Sequence, residues 1–310
     1  MFEIRKFKET DLEFNELARI DNLVNHDSID HPDDDKRDWF LRDKSLVRDR
    51  LLLYDDEIAV GVIYYSQGRE ENCRTAFFTM NIDPKFNIEE SRLLLYNAMR
   101  TEIDKFHCNK IYTNVYEHSN YDLVKEFLIS KDFKHVQTNR EYNCNIKNID
   151  LKKYKPLLNQ LKLAGINFYD SKEEMKDWPN HYEKLEELTW TYHQDFPIPD
   201  GVKHTRTPFK QALKIQKDFE ENYYGTEIVA VKDGRYIGST DLEVYYKSEP
   251  HKAWTNGLGV LKDFRRKGIA TALKIKAIEK LIEKGVTEIR TDNEENNPMY
   301  KINVSLGFEP

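Results

Sequence analysis

The 310-residue chain is longer than one small domain needs and suits two of about 150 residues each. Its 39% apolar content can fill two cores, and a net charge of −7 argues against nucleic acid as the main partner. No apolar run reaches membrane-spanning length, the chain begins with the strand-like Met1-Phe2-Glu3-Ile4, and Cys73, Cys108 and Cys144 lack metal or redox spacing. A cytoplasmic protein with reduced thiols and no membrane partner is therefore expected.

The first half opens with a strand over Phe2 to Phe7 and a helix from Thr10 and Asp11 through Val24. The acidic stretch Asn25 to Asp35 carries His26 and His31 with Asp27, Asp30 and Asp33. No pair in it has a convincing ligand geometry, so it reads as a solvated loop with a helix N-cap and no metal is expected. Arg48 to Tyr54 and Ile58 to Tyr65 form a hairpin about Asp55-Asp56, and Thr75 to Ile82 is a further strand. A helix over Glu89 to Phe106, a strand over Lys110 to Tyr116 and a helix over Tyr121 to Ser130 follow. Lys134 to Ile146 reads as the strand that closes this half.

An amphipathic connector broken at Pro156 leads to a strand at Asn167 to Ser171 and a helix over His181 to His193. The proline-stiffened loop Asp195 to Gly201 precedes a helix that starts at Thr207-Pro208 and runs through Glu221. Glu227 to Lys232 and Tyr236 to Tyr246 pair about Asp233-Gly234, and Ala253 to Val260 is a strand. The basic turn Arg265-Arg266-Lys267-Gly268 then opens a helix in which Ile269, Leu273, Ala277 and Leu281 recur every four residues. Glu288 to Asn293 is the last strand.

Asp233 and Gly238 lie 177 residues after Asp56 and Gly61, while Val260, Phe264 and Thr291 lie 178 after Ile82, Phe86 and Thr113. A constant offset over consecutive elements implies two copies of one unit, expected at 1–146 and 166–310 with 147–165 as connector. At the helix mouth the copies differ. A glycine-containing basic turn at a helix start leaves outward-pointing N–H groups and positive potential that hold phosphate. The second copy has Arg265, Gly268 and Ala270 there, whereas the first has Asn87, Glu90 and Arg92, so the first copy is read as having lost its ligand site.

Val260, Arg265, Gly268 and Ala270 resemble the V-x-P-x-x-R/Q-x-x-G-x-G/A pattern of the GNAT superfamily of acyl-CoA N-acyltransferases, with Lys262 at the proline position. Downstream, Asn293, Asn297, Met299, Asn303 and Leu306-Gly307-Phe308 match a GNAT subgroup, and a degenerate copy before an intact one is similar to tandem GNAT proteins, mycothiol synthase among them. The resemblance implies an α+β fold of two tandem domains, each a mixed, mostly antiparallel sheet flanked by helices. It also implies that the backbone of Arg266, Lys267, Gly268, Ile269 and Ala270 holds the diphosphate of acetyl-CoA beside Arg265. Val260 would bind the pantetheine arm, and Asn293, Asn297 and Asn303 the cofactor from the other side. Many members carry a general-acid Tyr where this chain has Asn303, and Tyr300 stands three residues earlier.

Acyl transfer needs a base. Asp241 and Glu243, which alternation puts on one strand face, His193, and Asp195 in the substrate loop with Phe196 are the candidates. The expected function is an acetyl-CoA-dependent N-acetyltransferase for a small-molecule amine. A non-catalytic acyl-CoA-binding module and a protein or peptide acetyltransferase are the alternatives. Because the second copy ends just after Phe308, its last strand is expected to present an open edge, from truncation or for a partner strand.

Overall fold

The computed structural model describes residues 1–25, 28–222, 225–245 and 247–310. His26 and Asp27 of the acidic stretch and Tyr246 of the second hairpin lie outside them. The chain divides into unit 1, Met1–Val136 with Asp200–Thr205, and unit 2, Gln137–Pro199 with Arg206–Pro310.

Unit 1 contains β1 (Phe2–Lys6), α1 (Asp11–Val24), α2 (Pro32–Leu41), β2 (Arg48–Asp55), β3 (Ile58–Gln67), β4 (Thr75–Ile82), α3 (Glu89–Ile103), β5 (Lys110–Thr113) and α4 (Asp122–Ser130). Its sheet runs in the order β1-β2-β3-β4-β5, antiparallel except for the parallel pair β4 and β5. Local chemistry sets the helix starts: Thr10 Oγ1 accepts from Glu13 N–H while the Glu13 carboxylate accepts from Thr10 N–H. His31 caps α2 by accepting from Asp33 N–H at 3.2 Å, and Asp35 grips the buried Arg50, so the acidic stretch is partly engaged rather than wholly solvated. One sheet face packs Leu53, Ile63, Met80, Leu95 and Met99, and the other packs Phe14, Leu17, Ile20, Trp39 and Val62.

Unit 2 contains β6 (Asn139–Asn145), α5 (Lys155–Leu163), β7 (Ile166–Asp170), α6 (Ser171–Glu174), α7 (His181–His193), α8 (Phe209–Asn222), β8 (Thr226–Lys232), β9 (Arg235–Val244), β10 (Lys252–Val260), α9 (Ile269–Glu283), β11 (Glu288–Glu294) and α10 (Tyr300–Ser305). Its sheet order is β6-β11-β10-β9-β8-β7. The repeat is exact in register. Gly61 pairs with Ile82 and Gly238 with Val260, and a ladder irregularity falls between Leu53 and Tyr54 and again between Ala230 and Val231. Asp56 and Asp233 turn the two hairpins at φ 53° and 49°.

Three expectations need correction. The strand expected to close the first half is β6, and it pairs antiparallel with β11 from Asn145↔Glu288 to Asn139↔Glu294, so the division falls at Val136/Gln137 rather than after residue 146. The edge expected to lie open beside β11 is therefore covered, and Tyr142 and Cys144 are buried against the unit 2 core. Pro156 does not break the connector but sits in the first turn of α5, where its missing N–H costs no helical bond.

Burial explains the central helix of unit 2. Ile269, Ala272, Leu273, Ile275, Ala277, Ile278 and Leu281 are all buried, and each large aliphatic contributes about 1.5–3 kcal/mol. That sum holds in place one costly member of the same stripe, Lys274, which is 4% exposed.

Candidate functional site

β10 and β11 are paired only at Lys252↔Glu288, Ala253↔Ile289 and Trp254↔Arg290. Beyond that point β10 stays with β9 and β11 stays with β6, so the two parallel strands part. The gap is the root of a cavity of about 860 Å³, within the range of small-molecule sites. Thr255 to Val260 form one wall, Thr291 to Glu294 the other, and the start of α9 and the Asn296 to Asn303 segment close its ends.

At the mouth of α9, Arg266 and Gly268 take positive φ of 62° and 83°. The first bond that returns to this turn runs from Ala272 N–H to Gly268 C=O at 3.0 Å, which leaves the N–H groups of Ile269, Ala270 and Thr271 without a backbone acceptor. Gly268 has two reasons to be glycine: its φ, and Leu157, whose Cδ1 lies 2.6 Å from where a Cβ would stand. Glycine was expected here as part of a phosphate-holding turn. In the fold it also clears room for α5.

Of the residues expected at the cofactor, Val260, Arg265, Arg266, Gly268, Ile269, Ala270, Asn293, Asn297 and Asn303 line the cavity, as do Asp195 and Phe196. Lys267 instead turns its Nζ to the Asp263 carbonyl at 2.9 Å. Arg265 is tied on both sides, donating from Nε to the Val260 carbonyl at 2.8 Å and from its terminus to Asp195. Asp195 also meets Lys262 at 3.0 Å, and the Arg265 hydrogen bond, then that of Lys262, holds its carboxyl below the usual range. That is the opposite of what a base needs. His193 is exposed at the end of α7 with its ring 4.7 Å from that of Phe196. Asn297 accepts from Met299 N–H at 3.0 Å, so it shapes the turn before α10, and Tyr300 packs on the apolar core.

Asp241 is better fitted as a base. Burial pushes its carboxyl up to about 6, against hydrogen bonds from Asn256 and the Gly257 backbone. Its Oδ1 would lie 2.8 Å from a Cβ on Gly257, so the carboxylate stands directly behind the cavity wall, and Asp241, Glu243 and His193 are not among the residues that line the cavity. Glu243, on the same face, accepts from Asn256 at 3.0 Å. Gly259 has a different cause: the Tyr192 ring lies flat on it, 2.0 Å from a would-be Cβ, with the hydroxyl 3.1 Å from Ser239 Oγ.

Sequence reasoning missed two groups. Glu227 is the cross-strand partner of Asp241, and burial, then the Asp241 charge, raises its carboxyl to about 8. Lys274 lines the cavity and donates to Asn303 Oδ1 at 2.5 Å, while Asn303 donates to Asn293 Oδ1 at 2.7 Å. The signal for Lys274 was present: it stands four residues after Ala270 and four before Ile278, in an inward stripe.

Unit 1 has no such site among its described residues. Arg92 is buried at the mouth of α3 and donates to the Asn87 carbonyl at 2.9 Å and to Asn87 Oδ1 at 2.7 Å. Tyr64, 177 residues before Asp241, donates to Asp21, which also accepts from Asn81 at 2.7 Å. A hydrogen-bonded side chain thus fills the helix mouth that is bare in unit 2, and a tyrosine bonded to Asp21 stands where unit 2 has Asp241.

Residues 182–304 match the model of the acetyltransferase (GNAT) family. No curated protein matches the sequence at a significant level. Among solved structures, a tandem GNAT protein from the clavulanic acid biosynthesis pathway superposes with a TM-score of 0.75 at 16% identity, over 100% of this chain and 95% of that one. A GCN5-related N-acetyltransferase from Sphaerobacter thermophilus gives 0.67 at 15% identity, over 99% and 92%. A glucosamine N-acetyltransferase region of a fungal multi-domain β-N-acetylglucosaminidase gives 0.73 at 12% identity, over 100% of this chain and 37% of that one. These likenesses carry the fold, the family match falls almost wholly within unit 2, and members of this family use an acyl-CoA. Residues 182–304 thus form an acetyltransferase (GNAT) domain, and the whole chain has the fold of a tandem GNAT protein.

Proposed function

We propose that unit 2 transfers the acetyl group of acetyl-CoA to the amine of a small molecule. The observation that carries this reading is the parting of β10 from β11 into a cavity that ends at the bare first turn of α9. The chemistry of the donors fits acyl-CoA. Ile269, Ala270 and Thr271 N–H groups would hold the diphosphate with Arg266 beside them, and the main chain of β10 up to Val260 would hold the pantetheine amides. Bound there, acyl-CoA supplies an activated thioester.

The chain's own groups do the remaining work. Asp241 accepts a proton from the acceptor's ammonium, since a carboxyl that titrates at about 6 is largely ionised at neutral pH yet more basic than a free one. Glu243 on the same strand face gives the acceptor side a negative potential that suits a cationic amine. Asp195, gripped by Arg265 and Lys262, holds the end of α7 against the turn before α9.

Calorimetric titration with acetyl-CoA followed by a thiol-release assay over a panel of small amines tests the reading. Micromolar binding and release with at least one amine is the expected result. Tight binding with no release for any small amine or peptide would leave a non-catalytic acyl-CoA-binding unit.

A further inference from the structure

A lysine in the inward stripe of α9 demands a reason. Lys274 is 4% exposed, and no carboxylate among the described residues pairs with its ammonium. Its Nζ has one hydrogen bond, to Asn303 Oδ1, and sits 4.6 Å from the centre of the Phe308 ring, whose face attracts a cation. Holding an ammonium in such a place costs several kcal/mol relative to water. A strut between α9 and α10 would not need that cost, because a Gln or Met would span the same gap. The side chain lies on the wall of the cavity, and the groove between the parted strands leads to it.

We infer that Lys274 is the proton donor to the sulfur atom that leaves acyl-CoA. This rests on the acetyltransferase reading of unit 2. As the acceptor nitrogen bonds to the thioester carbon, the carbon–sulfur bond breaks and its electron pair stays on sulfur. Lys274 gives one Nζ proton to that sulfur, so free thiol departs and a neutral amine remains. The nitrogen's surplus proton passes to Asp241 of β9, beside Gly257 of the cavity wall, once Asp241 has handed the ammonium's first proton to water. Water then returns a proton to Lys274 and takes one from Asp241, and nothing else is consumed. Asn303 orients the donor by fixing one of its three N–H directions, and Asn293 in turn fixes Asn303.

The surroundings favour easy proton release. Burial lowers the ammonium to about 7, and among the described residues the titratable neighbour that acts on it is Cys144 of β6, whose own thiol burial pushes up. From α10 it faces the neutral Asn303, and beyond that helix the Phe308 ring. A donor near neutrality can both release and recover its proton within one turnover.

The test reads the sulfur without turnover. CoA is bound to the full-length protein, and the ultraviolet absorbance of its thiolate is followed across pH. Because a thiolate beside Lys274 in turn holds the ammonium charged, the two titrate as a pair and the bound thiol should lose its proton at least about one unit below the free value of about 8.5. Lys274→Met, which keeps the apolar stem, should return it to the free value while calorimetric CoA affinity stays within about threefold, a change below 1 kcal/mol. Lys274→Arg should keep the thiol shift yet slow amine acetylation by more than about tenfold, because a guanidinium does not give up its proton. A wild-type bound thiol that titrates like free CoA overturns the inference, whatever the variants do. So does a Lys274→Met protein that acetylates amines at the wild-type rate. Failure of the wild type to bind CoA would instead bring down the acetyltransferase reading, and this inference with it.

Discussion

Arg92 closes the helix mouth of unit 1 by reaching back to Asn87, and the residues 178 positions later, Ala270 and Arg265, leave the same mouth of unit 2 open. Arg265 points the other way, to Val260 and Asp195. One acetyl-CoA per chain is therefore the expected stoichiometry. Ala270→Arg, which copies unit 1, should weaken acetyl-CoA at least about tenfold, the worth of about 1.4 kcal/mol. Thermal stability should change little, because Ala270 lies at the cavity wall rather than in the packed interior. Two bound molecules per chain, or unchanged affinity in the variant, would contradict the assignment of the site to unit 2.

Gly268 is constrained by its backbone and by Leu157 together. At φ 83° any side chain is strained, and a Cβ would meet Leu157 Cδ1 at 2.6 Å. Gly268→Ala should cost about 1–2 kcal/mol in urea denaturation, most of it from the left-handed backbone. Trimming Leu157 to Ala in the same chain should recover only the steric part. Recovery of the whole loss would mean that the backbone conformation carries no penalty.

What the sequence discloses is local chemistry. Thr10 with Glu13, Asp233-Gly234 and the alternation of Thr75 to Ile82 each announce an element because the cause lies within a few residues. The repeat is legible for the same reason, since its turn aspartates and strand glycines recur at fixed distance. β6 is not legible, because its partner β11 lies far along the chain and nothing within Asn139 to Asn145 says which sheet it joins. Lys274 escaped because a lysine normally marks a solvated face, and only its spacing to Ala270 and Ile278 said otherwise. The role of Gly268 was half visible: the turn called for a glycine, but α5 packing against it is a tertiary fact.

Glu227 and Asp241 face each other across β8 and β9 with carboxyls raised to about 8 and about 6 from the ordinary 4.5 and 3.8. A raised carboxyl means that the folded state keeps a proton the unfolded chain has released. Stability from these groups therefore falls as pH climbs from their ordinary values through the raised ones. Lys274 acts in the opposite sense, because its lowered value lets the folded state shed a proton first, so stability recovers from about 7 toward 10.5. Glu227→Gln keeps an acceptor for Gln216 and removes the penalty. The variant should match wild type at about pH 4 and exceed it by about 1–2 kcal/mol near pH 8, read from melting temperatures across that range. A difference that is flat with pH would show that Glu227 titrates as a free carboxyl.

The cavity depends on β6 more than its place at the sheet edge suggests. β11 is matched to β10 at only three positions, from Lys252↔Glu288 to Trp254↔Arg290, and to β6 along its whole length from Glu288 to Glu294. The far half of β11, which carries Asn293, can leave β10 because β6 supplies its hydrogen bonds there. Asn143 adds a second tie, exchanging bonds with Glu309 at 2.8 Å in both directions. A fragment that begins at Gln137 should therefore fold and bind acetyl-CoA. One that begins at Lys147 loses the burial of Tyr142 and Cys144 and bares the edge of β11, so it should aggregate or bind no measurable acetyl-CoA. Circular dichroism and calorimetry on the two fragments decide the matter. Equal stability and affinity would mean that β11 is held by β10 alone and that the parting of the strands has another cause.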